Sequence, residues 1–323
     1  MRLRLVPNET NYDFFKYQRL TLGFSALLVV LSLITFAVRG LNYGIDFLGG
    51  TTIRTEASQP VDVAAYRAAI EPLGLGDVAI SELFDPTFGA DRHVAQVRIQ
   101  SQGQDDGSIS PETIARVEAA LQGHDPSITF PSVESVGPKV SGELIEKAVL
   151  AVLGSLAAIL IYIWLRFEWQ FAVGAVAALF HDVIVTIGVF ALFQIPFDLA
   201  IIAALLTIVG YSINDTVVIF DRLRENLRKY KTRPLREVMN LSVNETLSRT
   251  VMTSGTTLIA LLALLFLGGD VIRGFVFAIT WGIVIGTYSS VFVAKNIVLV
   301  LGVKRDWTKP DNTQGNQFAN IDA

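Results

Sequence analysis

The sequence predicts an α-helical polytopic membrane protein, with six transmembrane helices and one α+β domain inserted between the first and second. Three observations predict it. Apolar runs long enough to cross a bilayer recur six times. Charged residues make up only 17% of the chain, against about 25% in soluble proteins, and they gather between those runs. Residues 39–143 break the apolar rhythm with short alternating and amphipathic segments.

The first span is residues 20–38, Leu20 to Val38. Its apolar run is too long for a typical signal-peptide core and no A-x-A site follows, so it reads as an uncleaved helix. The other five fall within residues 144–301: Leu144–Leu165, Phe171–Phe193, Leu199–Phe220, Val251–Gly269 and Gly274–Leu301. The fifth is the least apolar, because Thr253, Ser254, Thr256 and Thr257 make its first turns polar.

Lys and Arg placement sets the expected orientation. With residues 1–19 inside, the same side also receives residues 166–170, the basic loop 221–250 and the tail 302–323. Together these hold 16 of the 26 Lys and Arg residues, whereas the two short opposite turns, 194–198 and 270–273, hold only Arg273. Both termini are therefore expected in the cytoplasm, which leaves residues 39–143 on the far side.

That outer stretch reads as a domain. Gly50–Glu56, Ala79–Phe84, Arg92–Ile99 and Ile128–Val136 have strand character. Val61–Pro72 and Pro111–Gln122 read as helices, the second with Ser110 as N-cap, Pro111 at its first position and Glu112 in its first turn. The order β-α-β-β-α-β fits a ferredoxin-like sandwich. Gly103–Ser108 reads as a polar turn between its halves.

Composition excludes several chemistries. There is no cysteine, so disulfides, thiol catalysis and cysteine metal sites are ruled out. The three histidines, His93, His124 and His181, are too few and too scattered to suggest a metal centre, and neither metal nor cofactor is expected. The net charge of −4 gives no bulk basic surface for nucleic acid; the expected surroundings are membrane lipid. Gly49-Gly50-Thr51 lacks the lysine of a phosphate loop and reads instead as a tight turn leading into the first strand. Paired aspartates or a Ser/His dyad at matching depths, as an intramembrane protease needs, are missing, and the chain is not expected to be an enzyme.

Ionisable groups inside spans are costly and usually face the bundle interior. Asp215, in Gly210-Tyr211-Ser212-Ile213-Asn214-Asp215-Thr216, lies about 7 Å from the span end at Phe220, at about 1.5 Å per residue. Ser212 and Thr216 fall near it on the helix surface, and Asn214 adjoins it. A carboxyl there can carry a proton if water reaches it from both sides in turn; its plainer reading is a structural carboxylate held by hydroxyls. His181-Asp182 sits near mid-membrane in the third span, either on the same polar seam or as a helix-packing pair. Arg249 opens the fifth span beside Thr250, Thr253 and Ser254. It is either an edge arginine obeying the charge rule or a partner for Asp215 when that carboxylate is ionised. Lys295 lies about two turns from the end of the sixth span, within snorkelling reach of water, and no role is assigned to it. The sixth span also places Gly274, Ala278, Gly282, Gly286, Ser290 and Ala294 at four-residue intervals, a stripe for close helix packing within the bundle or against a second protein.

Taken in order, the motifs resemble the SecF branch of the SecD/SecF family of protein-export membrane proteins. Those that carry the resemblance are Tyr12-Asp13-Phe14, Gly44-Ile45-Asp46-Phe47-Leu48-Gly49-Gly50-Thr51, Val136-Gly137-Pro138 and Arg166-Phe167-Glu168-Trp169. With them stand His181-Asp182-Val183, Gly210–Val218 running into Phe220–Asn226, and Arg249-Thr250 with Thr253–Thr257. Leu48 departs from the Thr or Ser of several relatives. The resemblance implies a member of the resistance–nodulation–division superfamily whose six helices pair with six of SecD in the bacterial inner membrane. It implies an accessory of the Sec translocase, acting after the SecA ATPase and the SecYEG channel. There it would use the proton-motive force to draw or release unfolded polypeptides on the periplasmic side. It assigns proton movement to Asp215 and Arg249. One charge crossing 100 mV is worth about 2.3 kcal/mol and one pH unit about 1.4 kcal/mol, enough to bias a two-state element. The competing readings are half of a small-molecule or lipid exporter of the same superfamily, and a passive structural partner.

Overall fold

The computed structural model describes residues 10–83, 92–100 and 109–303. Six helices among these are long and apolar enough to cross a membrane, in line with the six apolar runs. They are α1 (Gln18–Arg39), α5 (Pro138–Arg166), α6 (Trp169–Phe193), α7 (Leu199–Lys229), α8 (Leu235–Leu267) and α9 (Gly269–Ser289), the last continuing through a π-turn (Ser290–Ala294) into α10 (Lys295–Leu301). Between α1 and α5 lie β1 (Asn42–Tyr43), α2 (Ile45–Leu48), β2 (Gly50–Ala57), α3 (Val63–Ile70), β3 (Val78–Leu83), β4 (His93–Gln100), α4 (Pro111–His124) and β5 (Thr129–Val136). A further strand, β6 (Pro196–Phe197), sits in the turn between α6 and α7.

Several helices run beyond their apolar cores. α7 continues past Phe220 to Lys229 and α8 begins at Leu235, so most of 221–250 is a helical hairpin with a short turn. The apolar run stops there, but one face stays apolar: Leu223, Leu227, Val238, Met239 and Val243 are buried together. The other face carries the charges, including Arg222 bonded to Glu225 (2.5 Å) and Glu245 (2.7 Å).

The α+β domain is a four-stranded antiparallel sheet in the order β3-β4-β2-β5, so β2 and β4 form its centre. α3 and α4 cover one face. Ile53, Ala95, Val97 and Ile99 from the sheet meet Tyr66 and Ile70 of α3 and Val117 and Leu121 of α4. Asp62 caps α3 by accepting from the amides of Ala64 and Ala65, and Ser110 caps α4 by accepting from that of Thr113 (3.1 Å). The expected turn 103–108, and Phe84 at the end of the second expected strand, fall outside the described residues. Leu121 is fully buried. Leu121→Ala is expected to destabilise this domain by about 2–5 kcal/mol, read as loss of amide-exchange protection in β2 and β4 with the bundle amides unchanged.

The domain is tied to the bundle by its first segment. β1 pairs in parallel with β6. The Gly44 amide donates to the Phe197 carbonyl (2.8 Å). Asp46 accepts from the Leu199 amide (3.0 Å) at the start of α7, which Asp198 caps through Ile201 (3.1 Å). Gly49 (φ 72°) and Gly50 (φ 134°) then turn the chain into β2 in a region that side chains rarely adopt.

Burial pushes the Asp198 carboxyl above its ordinary value; the hydrogen bond from Ile201 opposes this and the nearby Asp46 charge adds to it. A raised carboxyl pKa in the folded state costs folding free energy as pH rises through the unfolded value of about 4. Asp198→Asn keeps a capping oxygen and removes that cost. It should stabilise the chain at pH 7 relative to its effect at pH 3, measured as the difference in thermal midpoint at the two pH values.

Candidate functional site

The bundle core has two apolar clusters with a polar layer between them. One cluster, at the basic end, holds Phe167, Phe171, Phe220 and Val291; the other, near the α+β domain, holds Phe190, Leu205, Ile208 and Ala278. On α6, α7, α9 and the π-turn the positions between the clusters carry Asp182, Ser212, Asp215, Ser289 and Ser290.

Asp215 is partly buried and bonded on both oxygens: Oδ1 accepts from the Thr250 hydroxyl of α8 (2.5 Å) and Oδ2 from the Ser290 hydroxyl at the π-turn (2.6 Å). Three helices therefore meet on one carboxyl. Arg249 is exposed and adjoins Thr250; among the described residues it makes no ion pair with Asp215.

Asp182 is fully buried. Its Oδ2 accepts from the Ser212 (2.6 Å) and Ser289 (2.8 Å) hydroxyls, and its Oδ1 lies 3.0 Å from His181 Nδ1. His181 and Asp182 thus bond each other, and Ser212 serves Asp182 rather than the nearer-in-sequence Asp215. The Tyr288 ring lies 6.1 Å from that of His181, and its hydroxyl contacts Ser25 of α1 (3.0 Å).

The remaining expected residues spread around this centre. Thr216 is buried beside it, while Asn214 is exposed. The Thr253 hydroxyl donates to the Arg249 carbonyl (2.9 Å), and Ser254 pairs with Thr287 (2.7 Å). Thr250, Ser289 and Ser290 are the direct ligands that the sequence does not single out. Ser290 stands there only as a member of the small-residue stripe, and Thr250 only as a neighbour of Arg249.

The stripe packs within the chain. A Cβ at Gly282 would meet Ile208 of α7, one at Gly286 would meet Ser212, and Gly274 faces Ile201. This close approach lets Ser289 and Ser290 reach both carboxyls.

Lys295 does not snorkel to water. It is 1% exposed, with its ammonium over the rings of Phe15 (4.1 Å), Phe14 (4.9 Å) and Phe292 (5.4 Å), and it donates to the Phe14 carbonyl (3.3 Å). The N-terminal segment is held there by Asn240 and Asn244 of α8, which bond the Phe14 amide (2.9 Å) and the Tyr12 amide (2.8 Å). The sequence motif around Tyr12-Asp13-Phe14 is thus a strap across the basic end.

Two family descriptions match the chain: "Protein export membrane protein SecD/SecF, C-terminal" over residues 116–304 and "SecD/SecF GG Motif" over residues 34–61. The latter covers β1, α2 and the glycine turn that join the domain to α7. The chain is 69% identical over 322 residues to protein translocase subunit SecF of Cereibacter sphaeroides, covering 100% of this chain and 99% of that one. It is 60% identical over 315 residues to that of Rhodobacter capsulatus (96% and 95% covered) and 42% identical over 304 residues to that of Rickettsia bellii (94% and 97%). Among solved structures it is similar to SecDF of Thermus thermophilus, at 38% identity and a TM-score of 0.81. It is also similar to SecDF in a super-membrane-facing form, at 39% identity and a TM-score of 0.68. It covers 93% of itself in both, but spans only 40% and 39% of those chains, about two fifths. The six-helix bundle, the domain between its first two helices and these matches together show that the chain belongs to the SecF family of protein translocase subunits.

Proposed function

We propose that this multi-pass protein is an accessory subunit of the Sec translocase that works with SecD and uses the proton-motive force to promote export and release of polypeptides. The observation that carries the proposal is Asp215, a carboxyl inside the bundle held by hydroxyls from α8 and the π-turn. As a carboxylate it accepts from both Thr250 and Ser290. Once protonated, one of its oxygens becomes a donor, so the hydroxyl facing that oxygen must reverse to accept or turn away, and the other bond loses its charge assistance. Proton uptake therefore weakens the hold of α7 on α8 or on the last helix, and we assign Arg249 to balancing the charge when it returns. His181, Asp182, Ser212, Asn214, Thr216, Thr253 and Ser254 form the polar surroundings.

The bond from the Leu199 amide to Asp46 carries a movement of α7 into the α+β domain. We read that domain as ferredoxin-like, from its sheet order, and as periplasmic, from the Lys and Arg bias that puts both termini in the cytoplasm of the bacterial inner membrane. SecD as partner is supported by the SecDF chains that contain a region like this one. SecYEG and SecA enter indirectly, as the channel and motor that deliver the unfolded chain. Full-length relatives named as translocase subunits do not favour the small-molecule or lipid exporter reading.

The test is export of a secreted precursor into the periplasm of cells depleted of this protein and then resupplied with it, with and without an ionophore. The ionophore-sensitive part of export should return with the protein. Equal ionophore sensitivity in depleted and resupplied cells would overturn the proposal.

A further inference from the structure

We infer that Asp182 is a second protonation site, loaded through His181 and coupled to Asp215 by the consecutive residues Ser289 and Ser290. This rests on the proton-carrying role proposed for Asp215 and extends it to a second carboxyl.

Asp182 is built differently from a carboxylate that only packs helices. It is fully buried, and among the described residues the hydrogen bonds of its carboxyl are to groups that exchange or reorient protons: His181 Nδ1 on one oxygen, Ser212 and Ser289 hydroxyls on the other. His181 is 4% exposed, and its second ring nitrogen, Nε2, is buried with no hydrogen-bond partner among the described residues. An imidazole bonded on one nitrogen and open on the other is a two-ended proton carrier. The step balances. A proton added at Nε2 gives an imidazolium, whose Nδ1 proton passes to Asp182 Oδ1. The products are a neutral carboxylic acid and a neutral imidazole carrying its proton on Nε2. Reversal returns the proton through Nε2.

The coupling follows from the backbone. Ser289 donates to Asp182 and Ser290 donates to Asp215. They are adjacent residues at the point where α9 gives way to the π-turn. A single-turn π insertion in a long helix marks a place where hydrogen-bond register changes. When Asp182 becomes an acid at Oδ1, its Oδ2 still accepts from Ser212 and Ser289 but without the charge that strengthens those bonds, so Ser289 is held less tightly and any movement of it carries Ser290 with it. Ser212 also lies one turn from Asp215 on α7.

Among the described residues the titratable groups around it are His181 on α6, Asp215 on α7, Arg249 on α8 next to the Thr250 that bonds Asp215, Tyr288 on α9 and, after the π-turn, Lys295, held in its aromatic cage at the basic end. α1 contributes the Ser25 hydroxyl through Tyr288 and carries its charges, Arg19 and Arg39, at its ends. α5 keeps Lys139, Glu143, Glu146 and Lys147 within about its first three turns and Arg166 at its last residue.

The test is infrared difference spectroscopy of the full chain in lipid nanodiscs across pH. Wild type is compared with Asp182→Asn and with Asp215→Asn, so that each subtraction isolates one carboxyl. The expected result is a pH-dependent carbonyl band lost in Asp182→Asn, a second lost in Asp215→Asn, and a displaced midpoint for the Asp215 band in Asp182→Asn. If the Asp182 carboxyl gives no pH-dependent band, or if the Asp215 midpoint is the same with and without Asp182, the inference is overturned. A titrating Asp215 beside a silent Asp182 sinks this inference alone; silence at both carboxyls also removes the proposed function. Should Asp182→Asn fail to fold, His181→Gln takes its place. It should displace the Asp182 band, and an unmoved band refutes the loading step.

Discussion

Asp215→Asn is expected to abolish the proton-dependent component of export while leaving the bundle folded. Asparagine keeps the shape and one acceptor oxygen, so one of the hydroxyl bonds from Thr250 and Ser290 survives. The NH2 that replaces the other oxygen can only donate, which fixes the site in an arrangement like the protonated acid. Export in the variant should fall to the level of wild type with ionophore, and ionophore should lower it no further. Asp215→Glu retains the proton but moves it by a methylene, and should recover part of the loss. Precursor release into the periplasm, scored with and without ionophore, measures both.

The second large effect is steric. A Cβ at Gly282 would lie 2.2 Å from Ile208 Cγ1, 2.4 Å from its Cδ1 and 2.7 Å from its Cγ2. Gly282→Ala must therefore push α9 from α7 or force Ile208 from its rotamer, at a cost of about 1–3 kcal/mol. The seam it opens is the one that brings Ser289 and Ser290 to the carboxyls, so activity should fall with stability. Ile208→Ala supplies the missing space but alone leaves a cavity costing about 2–5 kcal/mol. The double variant should be more stable than the two single effects sum to, a coupling that identifies the contact. Thermal midpoints of the four proteins in detergent decide it.

Much of the fold is legible in the sequence because its signals are local. Apolar length marks each span, and Ser110 with Pro111 marks the start of α4 within its first turn. The strand order of the domain follows from β-α-β-β-α-β succession because a right-handed crossover leaves few ways to pair such strands. The hairpin of α7 and α8 is less legible. A hydropathy window stops where Arg222 appears, although Leu223 and Leu227 continue the buried face.

The candidate site is legible only in part. Asp215, His181 and Asp182 announce themselves as ionisable groups in apolar runs. Thr250, Ser289 and Ser290 do not, since a hydroxyl in a span commonly bonds the carbonyl four residues back, as Thr253, Thr256 and Thr257 do here. Which hydroxyl leaves its own helix for a carboxyl depends on how three helices pack. That in turn depends on Gly282 and Gly286, whose role appears only once α7 is in place. Lys295 follows the same logic. Its distance from the span end allows snorkelling, but Phe14 and Phe15, some 280 positions earlier in the chain, close over it.

We propose that protonation of Asp215 moves the α+β domain relative to the bundle through the Asp46–Leu199 link. Spin labels at exposed Arg116 on α4 and exposed Val271 on α9 report that movement as a distance distribution, measured in lipid at pH values on either side of the Asp215 titration. Wild type should show a pH-dependent shift that disappears in Asp215→Asn. An identical pH response in Asp215→Asn, or no response in wild type, would contradict the claim.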